Sequence, residues 1–225
     1  METTDDTLFE GRVRLKQPAR GFGYRANEDA VLLASFAVRP SPARQAFDLG
    51  AGAGAVGLSL VHLGGALQVA LVEIDAAVAA LAQENLEANG VPGEVLLGDV
   101  RQVAEKHRGQ ADLVVCNPPY VPPGRGRVPE EPARALGRCG ELLDFVVAAR
   151  LLVGARGRVC FVYPARELVT LVEGLRAAGL EPKRLKAVHA RQQLAARVVL
   201  IEAQPAKRGG LEVLAPQIDQ SPLEG

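Results

Sequence analysis

Phe47-Asp48-Leu49-Gly50-Ala51-Gly52-Ala53-Gly54-Ala55-Val56-Gly57 continues a short apolar run and leads into a helical pattern. Glycines at alternate positions let the backbone turn tightly and approach a ligand without a Cβ in the way. A helix that begins directly after such a turn points its first backbone N–H groups at the ligand. The stretch therefore predicts a strand, a ligand-binding turn and a helix, which is the opening unit of an α/β fold.

Strand and helix signals alternate along the rest of the chain. Apolar runs that predict buried strands lie at Ala46–Leu49, Val69–Ile74, Val95–Leu97, Leu113–Cys116, Val159–Tyr163 and Val198–Ile201. Segments with a helical period separate them, so we expect a mostly parallel, seven-stranded sheet with helices on both faces. Arg197–Ala203 follows Lys183–His189 after a link too short for a crossover helix, which predicts an antiparallel last strand.

Composition and charge narrow the class of protein. The 225 residues are 48% hydrophobic and 23% charged, which excludes collagen-like, coiled-coil and disordered chains. No apolar run reaches the roughly 18 residues that span a bilayer, and the acidic start is unlike a signal peptide, so we expect a cytoplasmic protein. The scattered cysteines and histidines predict no metal site. We expect a monomer or a weak dimer.

Three acids accompany the predicted strands. Glu73 ends the second strand, where a carboxylate can accept both hydroxyls of a ribose. Asp99 follows the third strand and can either accept from an adenine amino group or cap a helix. Asp48 precedes the glycines and can reach an ammonium group. Gly52-x-Gly54-x-x-Gly57 also fits a dinucleotide site, so an NAD-dependent oxidoreductase is one alternative, but the three acids fit an adenosylmethionine pocket better.

Asn117-Pro118-Pro119-Tyr120 ends the fourth predicted strand. Two prolines cannot continue a ladder, so the chain must turn at the carboxyl edge, where open α/β sheets bind ligands. An amino nitrogen on a conjugated system is a weak nucleophile because its lone pair is delocalised. The Asn117 carboxamide oxygen and the Pro118 carbonyl can each accept one N–H of such a group, and the Tyr120 ring can stack on a planar substrate.

These motifs together resemble the class I adenosylmethionine-dependent methyltransferases that act on amino or amide nitrogens, over roughly Arg44 to Ala203. The resemblance implies a Rossmann-like fold and S-adenosyl-L-methionine as cofactor. The implied cofactor-binding residues are Asp48, Gly50, Gly52, Gly54, Glu73, Asp99 and Asn117. The implied catalytic residues, which hold the target nitrogen, are Asn117, Pro118, Pro119 and Tyr120.

Further stretches resemble the bacterial tRNA(Val) adenine-N6 methyltransferases. They are Gly23–Ala34, Ala133-Arg134, Arg197–Ala203, Gly209–Val213 and Ala215-Pro216. This resemblance implies adenine N6 in tRNA as the substrate, and it leaves two alternatives within the same chemistry, guanine N2 in ribosomal RNA and a protein glutamine. The loop after Tyr120 differs from the family pattern because it is rich in arginine. A cofactor-binding module without catalysis is a further alternative.

Basic residues are unevenly distributed although the formal net charge is zero. Five lie between Gly11 and Arg25 with no acid, and seven lie between Lys183 and Arg208 against Glu202. With Arg125 and Arg127 they predict either phosphate contacts around the pocket or merely a solvated surface. We expect residues 1–43 to form a basic arm and a helix packed on the core, and residues 44–225 to form the methyltransferase domain with a short tail.

Overall fold

A computed structural model describes residues 1–21, 25, 28–119, 142–205 and 208–219. Two strands in this part of the chain form an N-terminal hairpin, β1 (Thr3–Leu8) and β2 (Val13–Pro18). The strands of a central sheet are β3 (Ala46–Leu49), β4 (Val69–Glu73), β5 (Gly93–Leu97), β6 (Ala111–Cys116), β7 (Val153–Pro164), β8 (Glu181–His189), β9 (Ala196–Gln204), β10 (Glu212–Val213) and β11 (Gln217–Ile218). The helices are α1 (Glu28–Ala37), α2 (Ala55–His62), α3 (Ala76–Ala88), α4 (Val100–Lys106), α5 (Leu142–Leu152) and α6 (Leu168–Ala177).

The central sheet has the strand order β10–β8–β9–β7–β6–β3–β4–β5, and β11 also pairs with β8. Strands β3 to β7 run parallel, whereas β9 runs antiparallel to β7 and β8. The predicted α/β fold with a late antiparallel strand is confirmed. The count of seven strands is short by two, because β10 and β11 add two residues each along β8 and are too short to leave a sequence pattern.

Local sequence explains the elements next to the glycine turn. β3 and β4 are buried along their whole length, as parallel strands covered on both faces should be. Asp75 caps the start of α3, because its side chain accepts the N–H groups of Ala77 and Val78.

Two clusters of buried apolar residues cover the two faces of the sheet. No helix in the described ranges has the length and apolar character that crossing a bilayer requires.

The N-terminal segment is more regular than the basic arm that we expected. β1 and β2 form an antiparallel hairpin, and β2 packs on α3. Val13, Leu15 and Gln17 are buried, whereas Arg14 between them is exposed. This alternation is the signature of a half-buried strand, and it was present in the sequence beneath the basic residues. α1 follows the hairpin and buries most of its apolar side chains in the core.

Candidate functional site

The carboxyl ends of four neighbouring strands bring the predicted site residues into one row. Leu49 at the end of β3 pairs with Cys116 of β6, and Glu73 at the end of β4 pairs with Leu97 of β5. The order β5–β4–β3–β6 therefore places Asp99, Glu73, the glycine turn and Asn117 side by side along one edge. Since adjacent strands lie about 4.8 Å apart, the row is roughly 14 Å long.

The glycine turn needs glycine for two different reasons. Gly54 has a φ of +91°, and a Cβ there would lie 2.8 Å from Cδ1 of Leu71, so its lack of a side chain lets the turn pack on β4. Gly52 has a φ of +57°, and a Cβ there would meet no atom of the described residues within 4 Å. The turn is thus closely packed beneath and open at Gly52, which leaves its backbone accessible to a ligand.

Glu73 fixes the turn to the end of β4. Its Oε2 accepts the N–H of Gly52 over 2.9 Å, and its Oε1 accepts the N–H groups of Ile74 and Asp75 over 2.8 and 2.9 Å. Burial raises the pKa of the Glu73 carboxyl, against the lowering effect of these three donors. A carboxylate oxygen has two acceptor positions, so Oε2 retains one after the bond to Gly52, among the bonds that the described residues make.

Asp48 lies under the turn, with 1% of its surface exposed. Its Oδ2 accepts the N–H of Gly57 over 3.0 Å, which ties the end of β3 to the first turn of α2. Burial raises the pKa of Asp48 to about 7, an effect that the Gly57 N–H opposes and the nearby charge of Glu73 reinforces. The predicted contact of Asp48 with a cofactor ammonium stays a prediction.

Asp99 has one of the two roles that the sequence allowed, that of a helix cap, and its predicted contact with adenine stays a prediction. It caps α4 by accepting the N–H of Arg101 over 2.8 Å. The Arg101 guanidinium also holds both of its carboxylate oxygens, with Nε to Oδ1 at 3.0 Å and Nη2 to Oδ2 at 2.7 Å. This side-chain bond with Arg101 is the main cause that lowers the pKa of Asp99. The carboxylate is therefore ionised at neutral pH and is fixed at the edge of the row.

The Asn117-Pro118-Pro119 corner begins directly after β6. Asn117 and Pro119 are half-buried, and Pro118 is buried. Because Cys116 pairs with Leu49, the corner lies next to the start of the glycine turn. Tyr120, with Arg125 and Arg127, lies outside the described residues, so its predicted stacking role stays a prediction.

Many of the cations counted in the sequence are bound internally. Arg197 pairs with Asp29 on α1 and with Asp219 after β11, and Arg184 pairs with the buried Glu202. Lys183 donates to the carbonyl of Gly209. Much of the Lys183–Arg208 charge therefore stabilises the fold. Within the described ranges, no group of three or more His, Cys, Asp or Glu side chains comes together in a way that could hold a metal ion.

One residue of the site was missed by the sequence analysis. Asn85 on α3 is 2% exposed and donates to the carbonyl of Ala53 inside the glycine turn over 2.9 Å. An amide among the apolar positions of an amphipathic helix was the available signal, because a buried polar side chain needs fixed partners.

Comparison with known proteins agrees with this geometry. The model of the methyltransferase small domain family matches residues 27–150, more than half of the chain. A tRNA1(Val) (adenine(37)-N6)-methyltransferase from Serratia proteamaculans is 32% identical over 146 residues, which are 62% of this chain and 55% of that protein. Ribosomal RNA small subunit methyltransferase C from Pseudomonas entomophila is 35% identical over 79 residues, which are 35% of this chain and 23% of that protein. The chain thus matches less than two thirds of the length of these relatives.

Solved structures share the fold. A protein described as a predicted O-methyltransferase from Agrobacterium tumefaciens aligns with a TM-score of 0.65 at 26% identity, over 84% of this chain and 86% of that one. A T. thermophilus 16S rRNA N2 methyltransferase, in complex with AdoMet and guanosine, aligns with a TM-score of 0.61 at 23% identity, over 91% of this chain and 50% of that one. The family match, the α/β sheet and the row of site residues agree, and the chain belongs to the methyltransferase small domain family.

Proposed function

We propose that this protein is an S-adenosylmethionine-dependent methyltransferase that acts on an exocyclic amino nitrogen, adenine N6 of tRNA. The observation that carries the proposal is the row of Asp99, Glu73, the glycine turn and Asn117 on one edge of the sheet. Family membership and the names of the curated relatives support it. The NAD-dependent alternative, which relied on the glycine spacing alone, is set aside because it explains neither Asp48 nor the Asn117 corner.

The row fits the cofactor in three respects. The open side of Gly52 admits a ligand to the backbone. The remaining acceptor position of Glu73 Oε2 suits a ribose hydroxyl, and the ionised Asp99 suits an adenine amino group. When bound, S-adenosylmethionine supplies an electrophilic methyl group on a sulfonium. Under this proposal Gly50 and Gly52 line its methionine part, and Asp48, which lies beneath the turn, interacts with its ammonium group.

The Asn117 corner provides the acceptors for the substrate. The Asn117 carboxamide oxygen and the Pro118 carbonyl each accept one N–H of the amino group, which turns the nitrogen lone pair toward the methyl carbon. The nitrogen gains the new bond to carbon as the bond from carbon to sulfur breaks, and it then releases one proton to solvent. Catalysis in this scheme is mainly alignment, with carbonyl dipoles that stabilise the positive charge developing on nitrogen. It requires no strong base.

An RNA substrate is supported by the relatives and by the remaining exposed cations. Arg20 and Arg191 are exposed, and Arg191 lies in the β8–β9 turn at the same edge of the sheet as the Asn117 corner. A base in a tRNA loop is also easier to extrude from its stack than one in a duplex. A tRNA substrate would place the reaction in the cytoplasm. Guanine N2 of ribosomal RNA is the second candidate, because one matched relative is a ribosomal RNA methyltransferase.

The substrate assay uses methyl-labelled S-adenosylmethionine with total tRNA, ribosomal RNA and a release factor in parallel. We expect label in tRNA, and N6-methyladenosine after digestion to nucleosides. Label in ribosomal RNA as N2-methylguanosine would support the second candidate, and label in the release factor would support a glutamine target. Cofactor binding without label in any pool would contradict the enzyme proposal and leave a binding module.

A further inference from the structure

The buried side chain of Asn85 joins three separate parts of the protein. Its Oδ1 accepts the N–H of Lys16 over 2.8 Å, and its Nδ2 donates to the carbonyl of the same residue over 2.8 Å. The second hydrogen of Nδ2 goes to the carbonyl of Ala53 over 2.9 Å. One carboxamide on α3 thus contacts the N-terminal hairpin on one side and the glycine turn on the other.

Asn89, one helical turn later, also binds the N-terminal hairpin, but none of its bonds to the described residues reaches the glycine turn. Its Oδ1 accepts the N–H of Arg14 and its Nδ2 donates to the carbonyl of Arg14, both over 2.8 Å. Four residues along a helix span about 6 Å, close to the ~6.7 Å between alternate residues of a strand, so the two amides match β2 in spacing. Among the described residues, the Asn89 side chain bonds to the hairpin and to the Asn85 carbonyl of its own helix alone.

The glycine turn is held at consecutive residues from two directions. Gly52 donates its N–H to Glu73 at the end of β4, and Ala53 accepts from Asn85 on α3. Gly50, Gly52 and Gly54 flank these points, all with positive φ. Glycines have more conformational freedom than other residues, so these side-chain bonds limit which conformations the turn samples.

We propose that Asn85 is a positioning residue that couples the N-terminal hairpin to the glycine turn and thereby raises affinity for the cofactor; this inference rests on the proposed function. Loss of its carboxamide leaves the Ala53 carbonyl and the Lys16 backbone groups without their partner in a buried region. The turn then samples other conformations, and a ligand must restore the correct one when it binds. The apparent affinity is the intrinsic affinity multiplied by the fraction of molecules in the competent conformation, so it falls as that fraction falls.

The test compares Asn85→Ala with the matched variant Asn89→Ala, in the full chain. Binding of S-adenosylhomocysteine is measured by calorimetry at a temperature where both variants are folded. We expect Asn85→Ala to raise Kd about 10-fold, the effect of losing one hydrogen bond at a buried site, and Asn89→Ala to change it less than about threefold. Amide hydrogen exchange in residues 50–57, measured without ligand, should accelerate only in Asn85→Ala.

Asn85→Asp serves if the alanine variant does not fold. It keeps the acceptor for the Lys16 N–H but loses the donors to the carbonyls of Lys16 and Ala53, so it should reproduce the higher Kd and the faster exchange. Equal Kd for wild type and the Asn85 variants, or equal effects of the Asn85 and Asn89 variants on Kd and on exchange, would overturn the coupling. A wild-type protein that does not bind S-adenosylhomocysteine would instead contradict the proposed function, and the exchange measurement would still decide the coupling.

Discussion

The backbone N–H of Gly52 donates to Oε2 of Glu73 over 2.9 Å, so the turn after β3 is fixed to the end of the neighbouring strand. From the sequence, both residues were expected to bind a cofactor, Gly52 through its backbone and Glu73 as an acceptor for the ribose hydroxyls. The structure adds that they bind each other. Under the proposed function, a change at Glu73 therefore affects cofactor binding both through the lost ribose contact and through the shape of the turn.

Glu73→Gln should weaken cofactor binding more than the loss of one ribose contact alone. The amide keeps the size of the side chain, but its NH₂ must face one of the backbone N–H groups that the carboxylate now accepts. We expect the Kd for S-adenosylhomocysteine to rise at least about 10-fold, since hydrogen bonds to charged groups contribute about 1.5–3 kcal/mol. Glu87→Gln, on the exposed face of α3, is the control and should leave Kd unchanged. Equal Kd values for both variants would show that Glu73 does not contribute to cofactor binding.

Asp48 should make stability depend on pH in the opposite direction from most acids. Its folded pKa is about 7, above its ordinary value of 3.8, so the folded protein holds a proton that the unfolded chain releases between these pH values. Stability is therefore lost as pH rises through that window and is not lost further above it. Asp48→Asn stays uncharged and can still accept the Gly57 N–H through its oxygen.

We expect Asp48→Asn, without cofactor, to have a Tm several degrees above that of wild type at pH 8, with a difference that shrinks toward pH 5. Thermal unfolding of both proteins across this range measures it. Every other titrating group is common to the two proteins, so the difference reports Asp48 together with its electrostatic coupling to Glu73. A difference that is constant with pH would contradict the raised pKa.

Asn117→Ala should separate catalysis from binding. Its carboxamide is proposed to accept an N–H of the substrate, whereas the acids proposed to bind the cofactor lie on β4 and after β5. We expect kcat for methyl transfer to fall about 100-fold or more, by analogy with the loss of one aligned dipole at other active sites. The Kd for S-adenosylhomocysteine should change less than about threefold. Full activity in this variant would show that the Asn117 assignment is wrong.

The sequence was most informative where a pattern of residues strongly favoured a single local structure. Buried apolar runs predicted β3 and β4, because runs this short favour strands over helices, and the two prolines predicted the end of β6, because proline cannot continue a ladder. Asp99 was ambiguous, and the structure shows why: the same carboxylate caps α4 and sits at the edge of the row. Local sequence cannot choose between a cap and a ligand contact when the geometry allows both.

Long-range polar contacts were the part that the sequence could not supply. Asn85 and Lys16 are far apart in the chain, and a hydrogen bond to a backbone group places no demand on the identity of the partner residue. Arg197 binds the carboxylates of Asp29 and Asp219, which lie near opposite ends of the chain, and the sequence offers many other acids as equally suitable partners. These contacts depend on how the hairpin and the tail fold back on the sheet, and only the three-dimensional structure defines that.

Glu202 is the one acidic residue between Lys183 and Arg208, and it should be important for stability. It is buried on β9 and pairs with Arg39 at 2.7 Å, Arg184 at 3.2 Å and Arg158 at 3.5 Å. Glu202→Gln would leave three guanidinium groups near one another without a counter-charge. We expect the free energy of unfolding to fall by about 3–5 kcal/mol, measured by urea denaturation. Arg44→Ala, which removes an 86% exposed side chain paired with Asp112, is the control and should cost less than about 1 kcal/mol.

If the substrate is RNA, the KM of the reaction should depend on salt concentration and on the charges of Arg125 and Arg127. Phosphate contacts release counterions, so the KM for tRNA should rise steeply between low and physiological salt. Arg125→Glu combined with Arg127→Glu should raise that KM about 10-fold, because these arginines follow the Asn117 corner in the sequence. Arg156→Glu reverses an exposed charge at the amino end of β7, on the opposite edge of the sheet, and should leave KM within about twofold. If KM is unchanged by salt and by the paired substitution, or if the Arg156 variant raises it equally, the arginines after the corner do not hold the RNA.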